Sequence, residues 1–256
     1  MLELPIALPE GKKFYFASDF HLGVPNAAIS QEREKKIIQW LNTIEHDAAA
    51  IFLMGDIFDF WFEYERAIPK GFIRLQGRLA SLSDSGLPIY IFPGNHDMWM
   101  RGYFREEFGA TIMEDPVVLL CNGKRLLIGH GDGLGPGDQT YKYLKKIFKS
   151  PVARWAFRWL HPDIGISLAQ KWSKSSRLSN MKLEEKFKGE EREFLLSWCR
   201  EIEAQMHHDY YIFGHRHLPL DLEAGPSSRY INLGEWVHFS PFAVFDGARV
   251  DLKSFS

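Results

Sequence analysis

Hydrophobic positions in this chain fall into short unbroken runs separated by amphipathic stretches. Five runs are apolar, β-prone and of strand length: residues 14–17, 50–54, 88–92, 125–128 and 210–213. Between the first two, residues 31–44 place Ile37, Ile38, Leu41 and Ile44 on one helical face, with Ser30 as the expected cap. A second helix is expected over 72–81, ahead of the Gly86-Leu87-Pro88 turn into the third strand. Strands alternating with helices predict a layered α/β fold with helices on the sheet faces. No fixed-period repeat or low-complexity tract interrupts this pattern.

The pattern changes after the fourth strand. Ser150-Pro151 reads as a helix start, with proline at the first helical position, and Ala153, Ala156, Phe157 and Leu160 follow at helical spacing. Residues 164–172 are also apolar enough for a helix. A long helix is expected over 183–206, with Phe187, Phe194, Leu195, Trp198 and Ile202 in register. Residues 142–181 thus form a helical insertion in one domain spanning 1–256, and their start just beyond a histidine loop lets them cap the crevice as a lid.

Charge sharpens that picture. The chain has 31 Lys and Arg against 33 Asp and Glu, a net charge of −2. Yet residues 142–182 hold ten basic side chains and one acid, Asp163, leaving 21 basic against 32 acidic elsewhere. Such asymmetry marks a segment that meets an anionic partner. Tryptophan and arginine interleaved with aliphatic residues resemble an amphipathic element at a lipid interface. Nucleic acid is not the expected partner, because its phosphates are read along a groove, whereas these cations sit among Trp, Phe and Leu. The N-terminal residues lack a basic, apolar leader, which predicts a cytoplasmic protein. Cys121 and Cys199 lack metal-type spacing and are read as ordinary buried residues.

Each of the five strands runs into a chemically loaded loop: Ser18-Asp19-Phe20-His21, Gly55-Asp56-Ile57-Phe58-Asp59, Gly94-Asn95-His96-Asp97, Gly129-His130-Gly131-Asp132 and Gly214-His215-Arg216-His217. One Asp or His after a strand is commonly a turn or capping residue. Five such loops in order are a constellation, since loops leaving the carboxyl ends of strands converge on one crevice. Asp19, His21, Asp56, Asn95, His130, His215 and His217 are oxygen and imidazole donors suited to manganese, iron, zinc or magnesium. Seven are too many for one ion, so two divalent ions are expected. Such a pair activates water and stabilises a phosphoryl group in transfer. Asp56, on a tight Gly-Asp turn, is the natural bridging carboxylate. His96 is placed to contact phosphate or the leaving oxygen, with Asp97 expected to orient it through the other ring nitrogen. His46, His161, His207, His208 and His238 fit no such pattern and are expected to be solvated or capping.

In order, Asp19-x-His21, Gly55-Asp56-x-x-Asp59, Gly94-Asn95-His96-Asp97, Gly129-His130 and Gly214-His215-x-His217 resemble the motif set of the calcineurin-like metallophosphoesterases, over residues 13–236. The resemblance implies a β-sandwich flanked by helices. It also implies that Asp19, His21, Asp56 and His217 hold one ion, and Asp56, Asn95, His130 and His215 the other. Within the superfamily, Asp59-Phe60-Trp61, His130-Gly131-Asp132 with Asp138 and Tyr141, and the basic apolar insertion are similar to the branch that hydrolyses UDP-2,3-diacylglucosamine in lipid A synthesis. That likeness implies release of UMP and 2,3-diacylglucosamine 1-phosphate, a lid that accommodates acyl chains, and peripheral contact with the inner face of the inner membrane. By position it makes Asp138, Tyr141, Lys171, Ser173, Ser175 and Arg177 candidate substrate contacts. Members of that branch often carry arginine after the metal-binding asparagine, whereas this chain has His96, as general phosphoesterases do. Arginine is a fixed cation, while histidine can also donate a proton.

Two rival readings make different demands. A phosphoesterase for other phosphodiesters, nucleotide pyrophosphates or phosphoproteins would pack the insertion away as core. A non-enzymatic scaffold would show broken ligand sets, and none of the seven positions is missing.

Overall fold

The structure is a computed structural model that describes residues 1–135, 139–169, 171 and 187–256. Twelve strands form two sheets: β1 (Leu2–Pro5), β2 (Lys13–Ala17), β3 (Ala48–Leu53), β4 (Ile89–Ile91), β5 (Thr111–Ile112), β6 (Val117–Cys121), β7 (Lys124–Ile128), β8 (Tyr210–Phe213), β9 (Pro219–Gly225), β10 (Ser228–Leu233), β11 (Pro241–Phe245) and β12 (Val250–Ser254). One sheet runs β12-β11-β2-β3-β4-β5 and the other β1-β6-β7-β8-β10-β9. The sheets pack face to face as a sandwich, with helices on the outer faces.

Period-two alternation explains the layers. On β2, Phe14 and Phe16 point between the sheets, where they meet Phe52, Leu126, Ile128 and Ile212. Tyr15 and Ala17 point outward, under α1 (Ala27–Ile44) and α2 (Ile73–Asp84). Both faces are buried, so the strand reads in sequence as an unbroken apolar run. Phe16 and Phe52 stack across neighbouring strands at 4.8 Å between centroids, and Phe52 stacks on Tyr90 at 4.8 Å. The second sheet buries Leu127, Tyr211 and Phe213 under α7 (Phe194–Glu203). A short α3 (Tyr103–Phe108) leads into β5.

Three expectations need correction. The cap of α1 is Asn26, whose Oδ1 accepts from the Ile29 amide at 3.0 Å. Ser30 lies inside the helix and its hydroxyl accepts instead from the Gly23 amide at 2.7 Å, which fixes the loop after His21. The helix expected over 183–206 begins only at Phe194 among the described residues. Upstream, Gly189 takes φ 95° and Glu193 is extended, so its buried carboxylate can pair with Arg216 Nε at 2.9 Å. Finally, His208 is fully buried rather than solvated, with Nδ1 2.9 Å from the Met206 carbonyl.

The insertion carries α4 (Gln139–Lys149), α5 (Pro151–Arg158) and a helical stretch α6 over 162–169. Ser150 caps α5 as its sequence requires, accepting from the Ala153 amide at 3.1 Å. Trp99 Nε1 donates to the Phe148 carbonyl at 2.8 Å, and the Phe157 ring lies 4.7 Å from Phe62 and 5.0 Å from Trp99. One face of the insertion is thereby docked on the loops after β3 and β4. The opposite face leaves Val152, Trp155 and Trp159 exposed at 74%, 62% and 76%.

At the C-terminal end of α7, Glu203 organises a polar cluster. Its carboxylate accepts from the Tyr211 hydroxyl at 2.7 Å and the His208 amide at 2.9 Å, and lies 2.6 Å from His207 Nδ1. Burial alone would raise its pKa, but these bonds hold it down at about 2. Because the folded value lies below the ordinary one, the stabilisation is complete above the usual glutamate range and is lost as pH falls towards 2. Glu203→Gln is therefore expected to cost about 1–3 kcal/mol in urea unfolding at pH 7, with the gap to wild type closing in acid.

Candidate metal centre

All five loaded loops meet at one edge of the sandwich, above the carboxyl ends of β2, β3, β4, β7 and β8. Backbone bonds lock them together: the Asp19 amide donates to the Gly55 carbonyl at 2.9 Å, His21 to Asp56 at 2.9 Å and Gly214 to His130 at 2.9 Å. Asp19, His21, Asp56, His215 and His217 all have positive φ, between 45° and 69°. Each such residue costs on the order of 1 kcal/mol or more, a strain that surrounding structure sustains where a side chain must be aimed. Gly94 and Gly214 are needed for a different reason: a Cβ there would strike the carboxylates of Asp56 and Asp19.

Two groups of donor atoms result. Asp19, His21, Asp56 and His217 each offer a ligand atom, all within 4.8 Å of one another. The Nε2 atoms of His21 and His217 are 3.2 Å apart, and Asp19 Oδ1 lies 3.3 Å from that of His217. Beside them, Asn95 Oδ1 lies 3.3 Å from His130 Nε2 and 3.0 Å from His215 Nδ1. Asp56 Oδ2 is 3.4 Å from His130 Nε2, so Asp56 stands between both groups.

The outward-facing atoms are already committed. Asp19 Oδ2 accepts from the His215 amide at 3.0 Å and Asp56 Oδ1 from the His96 amide at 2.8 Å. His130 Nδ1 is 2.7 Å from the Met54 carbonyl, which can only accept, so Nδ1 carries a proton and Nε2 is the ring nitrogen turned towards Asn95 and Asp56. By contrast, Asp19 Oδ1 and Asp56 Oδ2 are buried without a hydrogen-bond partner. Two orphaned carboxylate oxygens aimed at imidazole nitrogens fit divalent cations, since a bare anion in this position would be strongly destabilised.

Electrostatics agree. Burial opposes ionisation of Asp19 and Asp56, yet nearby imidazoles hold both well below the usual carboxylate range. Burial also opposes a charged His130, but Asp56, Asp19 and Asp132 push it up to about 10. The pocket therefore draws positive charge. Burial lowers His21 to about 3 and His215 to about 4, leaving both in the neutral form that binds metal.

The expected pairing of Asp97 with His96 is not formed. Both Asp97 oxygens face backbone amides, accepting from Gly94 at 2.7 Å and Ile57 at 2.8 Å, with Asp56 and Phe58 each at 3.3 Å. Asp97 thus shapes the Asp56 turn rather than orienting His96. Burial and the Asp56 charge raise its carboxyl to about 7. The partner of His96 is Asp59, whose carbonyl lies 3.1 Å and whose Oδ1 lies 3.5 Å from Nδ1.

Of the expected substrate contacts, Tyr141 donates its hydroxyl to Asp132 Oδ2, and Lys171 is exposed. Asp138, Ser173, Ser175 and Arg177 lie outside the described residues. Three supporting groups escaped the sequence reading. Arg33 of α1 donates to the carbonyls of Phe20, His21 and Val24 at 2.8–3.0 Å. Asp59 was visible within its motif without a role. Asp132 anchors α4, taking Lys145 Nζ at 2.6 Å; its position two residues past His130 was the available signal.

Residues 12–219 match the calcineurin-like phosphoesterase family. The chain is 36% identical over 254 residues to a UDP-2,3-diacylglucosamine hydrolase from Porphyromonas gingivalis, covering 94% of this chain and 97% of that protein. It is 28% identical over 244 residues to the protein of the same name from a Shewanella species, covering 93% and 96%. A solved phosphoesterase from E. coli superposes with TM-score 0.45 at 13% identity, over 95% of this chain and 100% of that one. With the full motif set gathered at one edge of a helix-flanked sandwich, the chain belongs to the calcineurin-like phosphoesterases and is a metal-dependent hydrolase.

Proposed function

We propose that this enzyme hydrolyses the pyrophosphate of UDP-2,3-diacylglucosamine, releasing UMP and 2,3-diacylglucosamine 1-phosphate for lipid A synthesis. The observation that carries this reading is the juxtaposition of a buried two-cluster donor site with an insertion that docks through Phe148 and Phe157 yet exposes Val152, Trp155 and Trp159. An insertion serving only as core would bury that face. The near full-length similarity to the Porphyromonas gingivalis hydrolase supports the same substrate.

Asp19, His21, Asp56 and His217 would hold one divalent ion, and Asp56, Asn95, His130 and His215 the other, with Mn2+ as the expected metal. Bound there, the ions supply the Lewis acidity and the acidified water that phosphoryl transfer needs at neutral pH. Asp56 lies between the two donor groups and would serve as the bridging carboxylate. In the net reaction, a water oxygen bonds to phosphorus, one P–O bond of the pyrophosphate breaks, and the leaving oxygen takes a proton. His96 Nδ1 lies 3.1 Å from the Asp59 carbonyl, which orients the ring for contact with the phosphoryl or leaving oxygen. Asp97, with its four amide contacts, holds the Asp56 turn in place.

Residues 142–181 act as the lid, and Asp138, Tyr141, Lys171, Ser173, Ser175 and Arg177 are the candidate substrate contacts. Among the described residues no helix is long and apolar enough to cross a membrane. The enzyme works in the cytoplasm, and the exposed Trp face with its flanking cations rests on the inner face of the inner membrane. Replacing Trp155 and Trp159 together with serine is expected to lower the ratio of acylated to unacylated turnover about tenfold, as loss of roughly 1.4 kcal/mol of apolar burial requires. Vesicle co-sedimentation should fall in parallel; an unchanged ratio would remove the lid reading.

The deciding experiment reconstitutes metal-stripped protein with Mn2+ and supplies UDP-2,3-diacylglucosamine in detergent, UDP-N-acetylglucosamine and an aryl phosphodiester, reading UMP or phenol release. Fast cleavage of the acylated substrate alone is expected. Turnover of the aryl ester without the acylated one would keep the metal centre and discard the lipid substrate.

A further inference from the structure

Lys142, Lys145, Lys146 and Lys149 of α4 line one cavity of about 520 Å3, which Gly133 and Ser150 complete. Their spacing of three, four and seven residues puts all four on one helical face, where like charges destabilise the helix unless a counter-charge is shared. The acid at hand, Asp132, is taken by Lys145 at 2.6 Å and by the Tyr141 hydroxyl. Lys142 donates to the Gly135 carbonyl, a bond that leaves its charge unneutralised. Lys146 and Lys149 have no carboxylate partner among the described residues.

Simpler accounts fall short. Cations in the last turn do offset the helix dipole, which covers Lys146 and Lys149 but not Lys142 and Lys145. Lys146 is exposed, yet all four lysines line one concavity within the size range of small-molecule sites, which a plain solvated face does not provide. Two of the four ammonium groups are also held in place from below, by Asp132 and by the Gly135 carbonyl, so the cavity wall is partly preorganised.

We propose that this lysine-lined cavity binds a phosphate group, at a site separate from the donor clusters of the metal centre. Gly133 lies three residues beyond His130, so the cavity flanks the centre along the loop after β7. A phosphate held there neutralises the stripe, and the local positive potential concentrates phosphate-bearing ligands beside the lid. Free phosphate, a nucleotide monophosphate and a phospholipid headgroup share this chemistry.

The test is lysine acetylation footprinting by mass spectrometry on the Mn2+-loaded full chain, in wild type and in Asp56→Asn. Inorganic phosphate, UMP and vesicles of phosphatidylglycerol or phosphatidylcholine are compared with chloride at equal ionic strength. Saturable protection of Lys146 and Lys149 by phosphate, at least threefold relative to the exposed Lys171 and Lys188 and equal in both proteins, is the expected result. Stronger protection by UMP identifies a soluble nucleotide as the preferred source, and stronger protection by phosphatidylglycerol over phosphatidylcholine identifies a headgroup; either supports the site. Protection absent in wild type, or present there and lost in Asp56→Asn, overturns it, the latter because the phosphate then sits at the metal centre. As a second measure, the heat of phosphate binding to Asp56→Asn should vanish when Lys146→Gln and Lys149→Gln are added. No turnover is read, so failure here leaves the hydrolase reading untouched.

Discussion

Asp56→Asn is expected to fold normally and to lose hydrolysis by about 10^3-fold or more. Losing an outer partner of a metal ligand typically costs about 10–100-fold, and Asp56 is the proposed bridge, grouped with Asp19, His21 and His217 and 3.4 Å from His130. Asparagine keeps an oxygen for the His96 amide bond at 2.8 Å, so the turn survives while the orphaned Oδ2 loses its charge. The melting temperature gives an independent reading. Any ion that binds only the folded chain stabilises it by RT ln(1 + [L]/Kd), about 4 kcal/mol at a thousandfold excess over Kd. Wild type should show that rise on adding Mn2+, and Asp56→Asn should show much less of it. Near-normal turnover in the variant, or in wild type after complete metal removal, would exclude a two-metal mechanism.

His96→Ala is expected to lower kcat about 10^2–10^4-fold, the range for a positioned proton donor, while bound metal per chain stays at the wild-type value. The metal count separates this residue from the seven proposed donors, since the His96 ring faces Asp59 through Nδ1. His96→Arg divides the two roles open to the side chain. Arginine can clamp a phosphoryl oxygen but cannot give up a proton at neutral pH. If His96 acts as an acid, Arg will resemble Ala in kcat and the alkaline limb of the pH profile will disappear. Rescue by Arg would assign His96 to phosphate binding alone. Asp59→Asn should have a smaller effect than either, because the carbonyl that accepts from Nδ1 remains.

Much of this protein was written in its sequence, for physical reasons that are local. The strands β2, β3, β7 and β8 are buried on both faces, so their apolar runs stand out without alternation. The donor loops follow those runs at once, because a metal ligand must leave the end of a rigid element to be held accurately. The Ser150-Pro151 start of α5 depends on one side chain and the amide three residues on, which short-range sequence can specify.

What depended on distant partners was decided only by the tertiary structure. Nothing near Asp97 signals that its carboxylate faces amides some forty residues away, because those amides are exposed by the turn of another strand. The same holds for His96, whose partner is Asp59 of the preceding loop, and for Arg33, which reaches back from α1 to brace the loop of His21. The break before α7 arises because Glu193 pairs with Arg216, a long-range ion pair that overrides helical periodicity. Sequence by itself determined which residues could bind metal and which strands would carry them. The sandwich decided the rest: β2, β3 and β4 lie in one sheet and β7 and β8 in the other, so only their face-to-face packing brings both halves of the donor set within reach of the same substrate.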